Sequence, residues 1–152
     1  MVDLDWCKKQ RMGIKLVEAN DNLAREYLRN AEETLGLLRG IEGKSNMWLA
    51  TMKYYFEYFC AYAVLMKIGI KCEIHDCTIK FYGLLGKEKI VSEKFCDMLK
   101  KDKSLRIDNQ YYLKNKKVNV DYDFLSEFLL EMKSVINGVD DDKINEIRMW
   151  VK

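Results

Sequence analysis

Hydrophobic positions recur at helical spacing along most of the chain. In "NDNLAREYLRNAEETLGLLRG", Leu23, Tyr27, Leu28, Ala31, Leu35 and Leu38 return every three or four residues, as on the buried face of an amphipathic helix. Asn20 or Asp21 supplies a cap, and Gly40 and Gly43 end the run. A central helix is predicted from about Ser45 to Ile68, stopped by Gly69. It is apolar around most of its girth, which marks a core helix or one covered by a partner subunit. A third helix is predicted from about His75 to Leu85 and a fourth from about Val91 to Lys101. The stripe Phe124, Leu125, Phe128, Leu129, Met132, Val135 and Ile136 predicts the next, with Glu127 and Glu131 facing away and Asn137–Gly138 closing it. Asp140 to Asp142 place acid at the start of a last short helix, about 141–151, where it suits the helix dipole.

Only "DKSLRIDNQYYLKNKKVNVDYD" shows no helical period, and it reads as an ordered loop. No stretch alternates with period two over strand length, and no glycine motif for phosphate binding occurs. The pattern therefore predicts one all-α domain over 1–152, a mostly antiparallel bundle of four to six helices with its core at about 20–137. The absence of proline leaves nothing to interrupt long helices. At 152 residues the chain can bury roughly 70 % of its unfolded surface.

"MWLATMKYYFEYFCAYAVLM" has the length of a membrane span, yet Lys53 and Glu57 lie near its centre. Each would cost about 2.5–3.5 kcal/mol there. Their i, i+4 spacing instead predicts a pair on one water-facing strip of a helix outside the membrane. The amino terminus lacks the apolar core of a signal peptide, so the expected compartment is a reducing cytoplasm. The five cysteines form no CxxC pair and sit among apolar residues, as buried thiols do. With a single histidine, no metal site is expected and no cofactor is implied.

The net charge of +2 is unevenly spread. Lys87 to Lys117 carries ten basic and five acidic residues, whereas Val118 to Lys152 carries four basic and eight acidic ones. A locally basic stretch suits either a solvated lysine-rich surface or an anionic ligand.

Four kinds of side chain are candidates for chemistry. His75 stands at a predicted helix start, as a cap or hydrogen-bonding post, or as a ligand contact or catalytic group. Arg106 and Asp108 in "LRIDNQYY" form either an ion pair inside a loop or a site in which Arg106 grips a phosphate while Tyr111 or Tyr112 stacks on a base. Tyr54 and Tyr55 belong to the core or an interface, unless a hydroxyl reaches the same cleft.

The order of these features resembles that of HEPN domains, small helical bundles widespread in archaea and bacteria. "LAREYLRNAEETL" resembles their opening helix. "YYFEYFCAYAVLMKIGIKCEIHDCTI" resembles the second, where an aromatic pair and small residues lead to a glycine and then a histidine. "RIDNQYYL" with Phe124–Ile136 resembles the loop and final long helix. The resemblance, over about residues 20–137, implies a homodimer with a cleft between protomers. It further implies nucleotide or RNA as ligand, and a nucleotidyltransferase as partner protein in a toxin–antitoxin-like pair. Many such domains are metal-independent endoribonucleases with an Arg, four to six residues, then a His. Here Arg106 takes the place of the arginine, Ile107 follows it instead of a polar residue, and Tyr111 and Tyr112 stand where a histidine would begin. On this resemblance the catalytic candidates are His75 and Arg106, and the ligand-binding candidates Arg106, Asp108, Tyr111, Tyr112, Tyr54 and Tyr55. The other function class is a non-catalytic dimeric scaffold or protein-interaction module.

Overall fold

A computed structural model describes residues 2–152. Among them are seven helices: α1 (Leu4–Lys9), α2 (Asp21–Ile41), α3 (Asn46–Ile68), α4 (His75–Lys87), α5 (Glu93–Gln110), α6 (Tyr122–Gly138) and α7 (Asp141–Met149). A two-residue antiparallel ladder, β1 (Lys15–Leu16) with β2 (Ile70–Lys71), is the only sheet among the described residues. The fold is an all-α bundle. Short polar side chains start the helices by accepting a backbone N–H: Asn20 from Leu23, Ser45 from Trp48, Asp121 from Phe124 and Asp140 from Lys143.

Ion pairs show the antiparallel order. Asp21 at the start of α2 meets Lys67 at the end of α3, and Asp76 at the start of α4 meets Lys103 late in α5. Gly69 ends α3 at φ +88°, and a Cβ there would lie 2.6 Å from the Val17 carbonyl oxygen. Arg148 on α7 clamps this corner, donating from Nη1 to the carbonyl oxygens of Val17, Ile68 and Gly69 at 2.7, 3.1 and 2.9 Å.

The central helix α3 is buried on nearly every side, against α2, α5 and α6 of the same chain. Its apolar girth is thus covered largely within one chain. Trp48 is exposed, and Met52, Tyr55 and Phe59 are half-buried. No described helix is long and apolar enough to cross a membrane.

Three expectations need correction. The segment read as a loop from Asp102 begins as helix, because α5 continues to Gln110. Its buried face runs Phe95, Leu99, Asp102, Arg106, Asn109. The helical period is intact, but its second half is spelled in polar residues that a hydrophobic pattern passes over. Asn109 uses that position to hold the true loop, accepting from Lys116 N at 2.7 Å and donating to Lys116 O at 2.9 Å.

Lys53 and Glu57 do not face water. They are 7 % and 0 % exposed, and Lys53 bonds Asp102 of α5 as well as lying 3.4 Å from Glu57. The extra turns of α5 carry Asp102 to α3, and a polar strip that would meet solvent meets a polar helix face instead. Lastly, two of the expected thiols are joined: Cys7 of α1 and Cys77 of α4 form a disulfide with Cα atoms 5.6 Å apart. Cys60, Cys72 and Cys96 are buried free thiols.

Candidate functional site

The side chains singled out by chemistry converge where α3, α4 and α5 meet. Tyr54 and its neighbour Tyr55 sit one helical turn before Tyr58 on α3, His75 opens α4, and Arg106 projects from α5. His75 stacks on the Tyr58 ring with centroids 4.2 Å apart, and its Nδ1 lies 2.8 Å from Tyr54 Oη. Tyr58 is held in turn by Thr78, 3.1 Å from its hydroxyl. The Arg106 guanidinium carbon is 4.7 Å from the Tyr54 ring centroid and 5.5 Å from that of Tyr55, and Nη1 donates to Tyr55 Oη at 3.2 Å. Cation and imidazole thus share one aromatic cage.

Arg106 is only 7 % exposed, and among the described residues no carboxylate pairs with it. Its buried Nε has no hydrogen-bond partner. A buried unpaired cation costs several kcal/mol, a cost that an anion beside it would offset.

The protons can be placed. Burial, with Tyr58 adding to it, pushes the Tyr54 phenol far above its ordinary value. Tyr54 therefore stays protonated and can donate to Nδ1; in that tautomer neutral His75 carries its hydrogen on Nε2. Burial first, then Arg106 and Lys103, push the His75 pKa below its ordinary value, against a smaller upward pull from Asp76. The resting site is a set of donors: Arg106 Nε, His75 Nε2 and the Tyr55 hydroxyl. In this tautomer His75 can donate to a phosphate oxygen or act as a general acid, but its basic nitrogen is occupied. Protonated His75 would donate to the same oxygen through a charge-assisted bond, so Tyr54→Phe is expected to lower the His75 pKa further. Titration of the imidazole C–H signal by NMR checks this directly, since the chain has one histidine.

The structure does not bring every candidate residue here. Asp108 points away from the cage and pairs with Lys114 and Lys116 at 3.1 and 2.7 Å, not with Arg106. Those two lysines hold its carboxyl below the ordinary range. Tyr111 stands at the rim, its ring 5.9 Å from Arg106. Tyr112 is exposed beside Lys114. His75 does not cap α4, whose N-cap, Ile74, makes no side-chain bond.

Tyr58, Thr78 and Lys103 were not among the residues picked from the sequence. Tyr58 was legible as the i+4 neighbour of Tyr54, whereas Lys103 required knowing that α5 is helical there. A cavity of about 470 Å³ lies between α4 and α5, lined by Asp76, Lys80, Lys100 and Lys103. Neither Lys80 nor Lys100 is ion-paired among the described residues. No cluster of three or more His, Cys, Asp or Glu side chains able to hold a metal ion occurs among the described residues. No protein-family model matches the chain, and no curated protein matches it significantly.

Proposed function

We propose that this protein is a HEPN-like nucleotide- or RNA-associated protein that binds phosphate at Arg106. The single observation that carries this reading is the buried guanidinium without a carboxylate, set among hydrogen-bond donors and no free acceptor. Such a site suits a phosphate oxygen, which accepts from Arg at the same time as from an imidazole N–H. The lysine-lined cavity between α4 and α5 adds a field that draws anions inward. Tyr111, exposed at the rim, offers a face on which a base can stack. Binding, more than RNA cleavage, is what the site supports, because His75 offers a proton and no side chain here offers a free base.

A cytoplasmic partnership with a nucleotidyltransferase, in a toxin–antitoxin-like pair, belongs to the same reading. The Cys7–Cys77 bond is unusual for a reducing compartment, but both cysteines are wholly buried, which keeps soluble thiols from it. The scaffold reading draws on a different observation. Trp48, Met52, Tyr55 and Phe59 form a partly exposed stripe along α3 at helical spacing, a surface of the kind that homodimers cover.

Arg106→Leu tests the first reading. Removing the charge-assisted contact is expected to weaken nucleotide or RNA binding by about 1.5–3 kcal/mol. The melting temperature should stay the same or rise, because the variant also removes an unpaired buried cation. Unchanged affinity would defeat the phosphate assignment. Sedimentation as a monomer at micromolar concentration would defeat the homodimer.

A further inference from the structure

The donor set around Arg106 has a second property, independent of which molecule carries the phosphate. His75 is the one group in the cage that can change charge near neutral pH. Every element packed against it contributes a neighbour. From α3 come Tyr54, Tyr55 and Tyr58, all neutral phenols; from α5 come Arg106 and Lys103; from α4 comes Asp76, already committed to Lys103. The empty site therefore opposes a second positive charge beside Arg106. An anion lodged against the guanidinium reverses that sign, because it cancels the field that Arg106 exerts on the imidazole sharing its aromatic cage.

We propose that ligand and proton enter this site together: a terminal phosphate, as on a 5′-nucleotide, docks against Arg106 while His75 takes up one proton. The proposal rests on the phosphate reading above and adds to it a charge balance. Arg106 with protonated His75 presents two positive charges, which match the two negative charges of a terminal phosphate, whereas an internal phosphodiester carries one. Enclosure favours the same choice. With Arg106 only 7 % exposed, a phosphate with a free end reaches deeper than one flanked by sugars on both sides.

The proton has a defined destination. In the empty site Nδ1 accepts from Tyr54, so the arriving proton goes to Nδ1, which then donates to Tyr54 Oη. The Tyr54 hydroxyl hydrogen turns away from the ring, the 2.8 Å contact is kept with its direction reversed, and Nε2 keeps its hydrogen. Linkage fixes the sign of the effect. The bound-site pKa lies above the free-site pKa, so affinity is highest and flat below the free-site value. It falls by up to about tenfold per pH unit between the two, and is flat again above the bound-site value.

The single histidine gives the experiment a direct readout. The imidazole C–H signal of the untagged protein is titrated by NMR alone, then with saturating adenosine 5′-monophosphate, with adenosine, and with a dinucleoside phosphodiester lacking a terminal phosphate. The phosphate, whose second ionisation lies at about 6, is followed by its 31P signal in the same samples, so that the two ionisations are separated. The expected result is a rise of at least about one unit with the monophosphate and none with adenosine. Binding of the monophosphate with the pKa unmoved overturns the proton linkage and leaves the phosphate site standing. An equal rise with the phosphodiester overturns the choice of a terminal phosphate. Failure of both phosphate ligands to bind removes the phosphate site itself.

Discussion

Breaking the Cys7–Cys77 bond is expected to lower stability by roughly 4 kcal/mol, the loop-closure entropy of a link spanning 70 residues. For a chain of this length that corresponds to a fall in melting temperature of roughly 10–15 °C. The local structure gives the reason to expect nearly the full effect. α1 has six residues, of which only Cys7 is buried. Apart from the disulfide, this arm is tied down by backbone bonds: Ile14 N to Cys7 O at 3.0 Å, Glu73 N to Met12 O at 2.9 Å, and the β1–β2 ladder. Cys77 lies two residues beyond His75, so the same bond steadies the turn that carries the imidazole. Paired melts of the double variant Cys7→Ala with Cys77→Ala and of wild type, with and without a strong reductant, measure the effect. A variant melting within about 2 °C of the oxidised protein would show that packing alone holds the arm.

Lys53→Met is expected to cost about 3–5 kcal/mol, because it strands the buried Asp102 carboxylate without its cation. Replacing all three together by apolar residues of similar volume is expected to leave stability near wild type or above it. The contrast follows from burial: Lys53, Glu57 and Asp102 are 7 %, 0 % and 4 % exposed. Burial pushes Glu57 well above its ordinary value, despite the downward pull of Lys53. Burial works against the charge on Lys53, but Glu57 and Asp102 outweigh it and raise the Lys53 pKa. We therefore read Lys53–Asp102 as the ion pair and Glu57 as a neutral acid. The unfolded chain releases the Glu57 proton near 4.5, while the folded protein retains it. The contribution of this group is therefore full below that pH and declines as pH rises towards the folded pKa. Urea unfolding of the single and triple variants separates the terms. A single variant within about 1 kcal/mol of wild type would mean that water reaches the cluster.

The sequence was most legible where burial is apolar and caps are short polar residues. Asn20, Ser45, Gly69 and Asp140 mark helix ends that the structure keeps, whereas Asp121, the cap of α6, lies inside the stretch read as a loop. It was least legible in α5, where Asp102, Arg106 and Asn109 occupy buried positions that hydrophobicity does not score. A helix that ends at Lys101 leaves Arg106 in a loop beside Asp108, and the i, i+4 spacing of Lys53 and Glu57 carries no sign that Asp102 of α5 meets them. That a Tyr54 or Tyr55 hydroxyl reaches the cleft of His75 is an expectation alongside the family resemblance, but the geometry depends on the α3–α4 corner, which is set by Gly69 and by Arg148 from 79 residues further along the chain. The disulfide was hidden for a plainer reason: five cysteines without a spacing motif do not say which two approach.

That disulfide also decides how the molecule responds to force. Cys7 and Cys77 close a covalent ring around α2, α3 and the start of α4, whereas α5, α6 and α7 lie outside it. Tension applied between the two chain ends passes through the bridge and leaves the ringed residues unloaded. A single oxidised molecule stretched to its limit should be shorter than a reduced one by roughly 240 Å, the extended length of the 70 residues spanned by the bridge. The helix that carries the tyrosines lies inside the sheltered loop, and the helix that carries Arg106 lies on the loaded path. Pulling would take the guanidinium out of its aromatic cage while Tyr54, Tyr55 and Tyr58 remained on an unstretched segment.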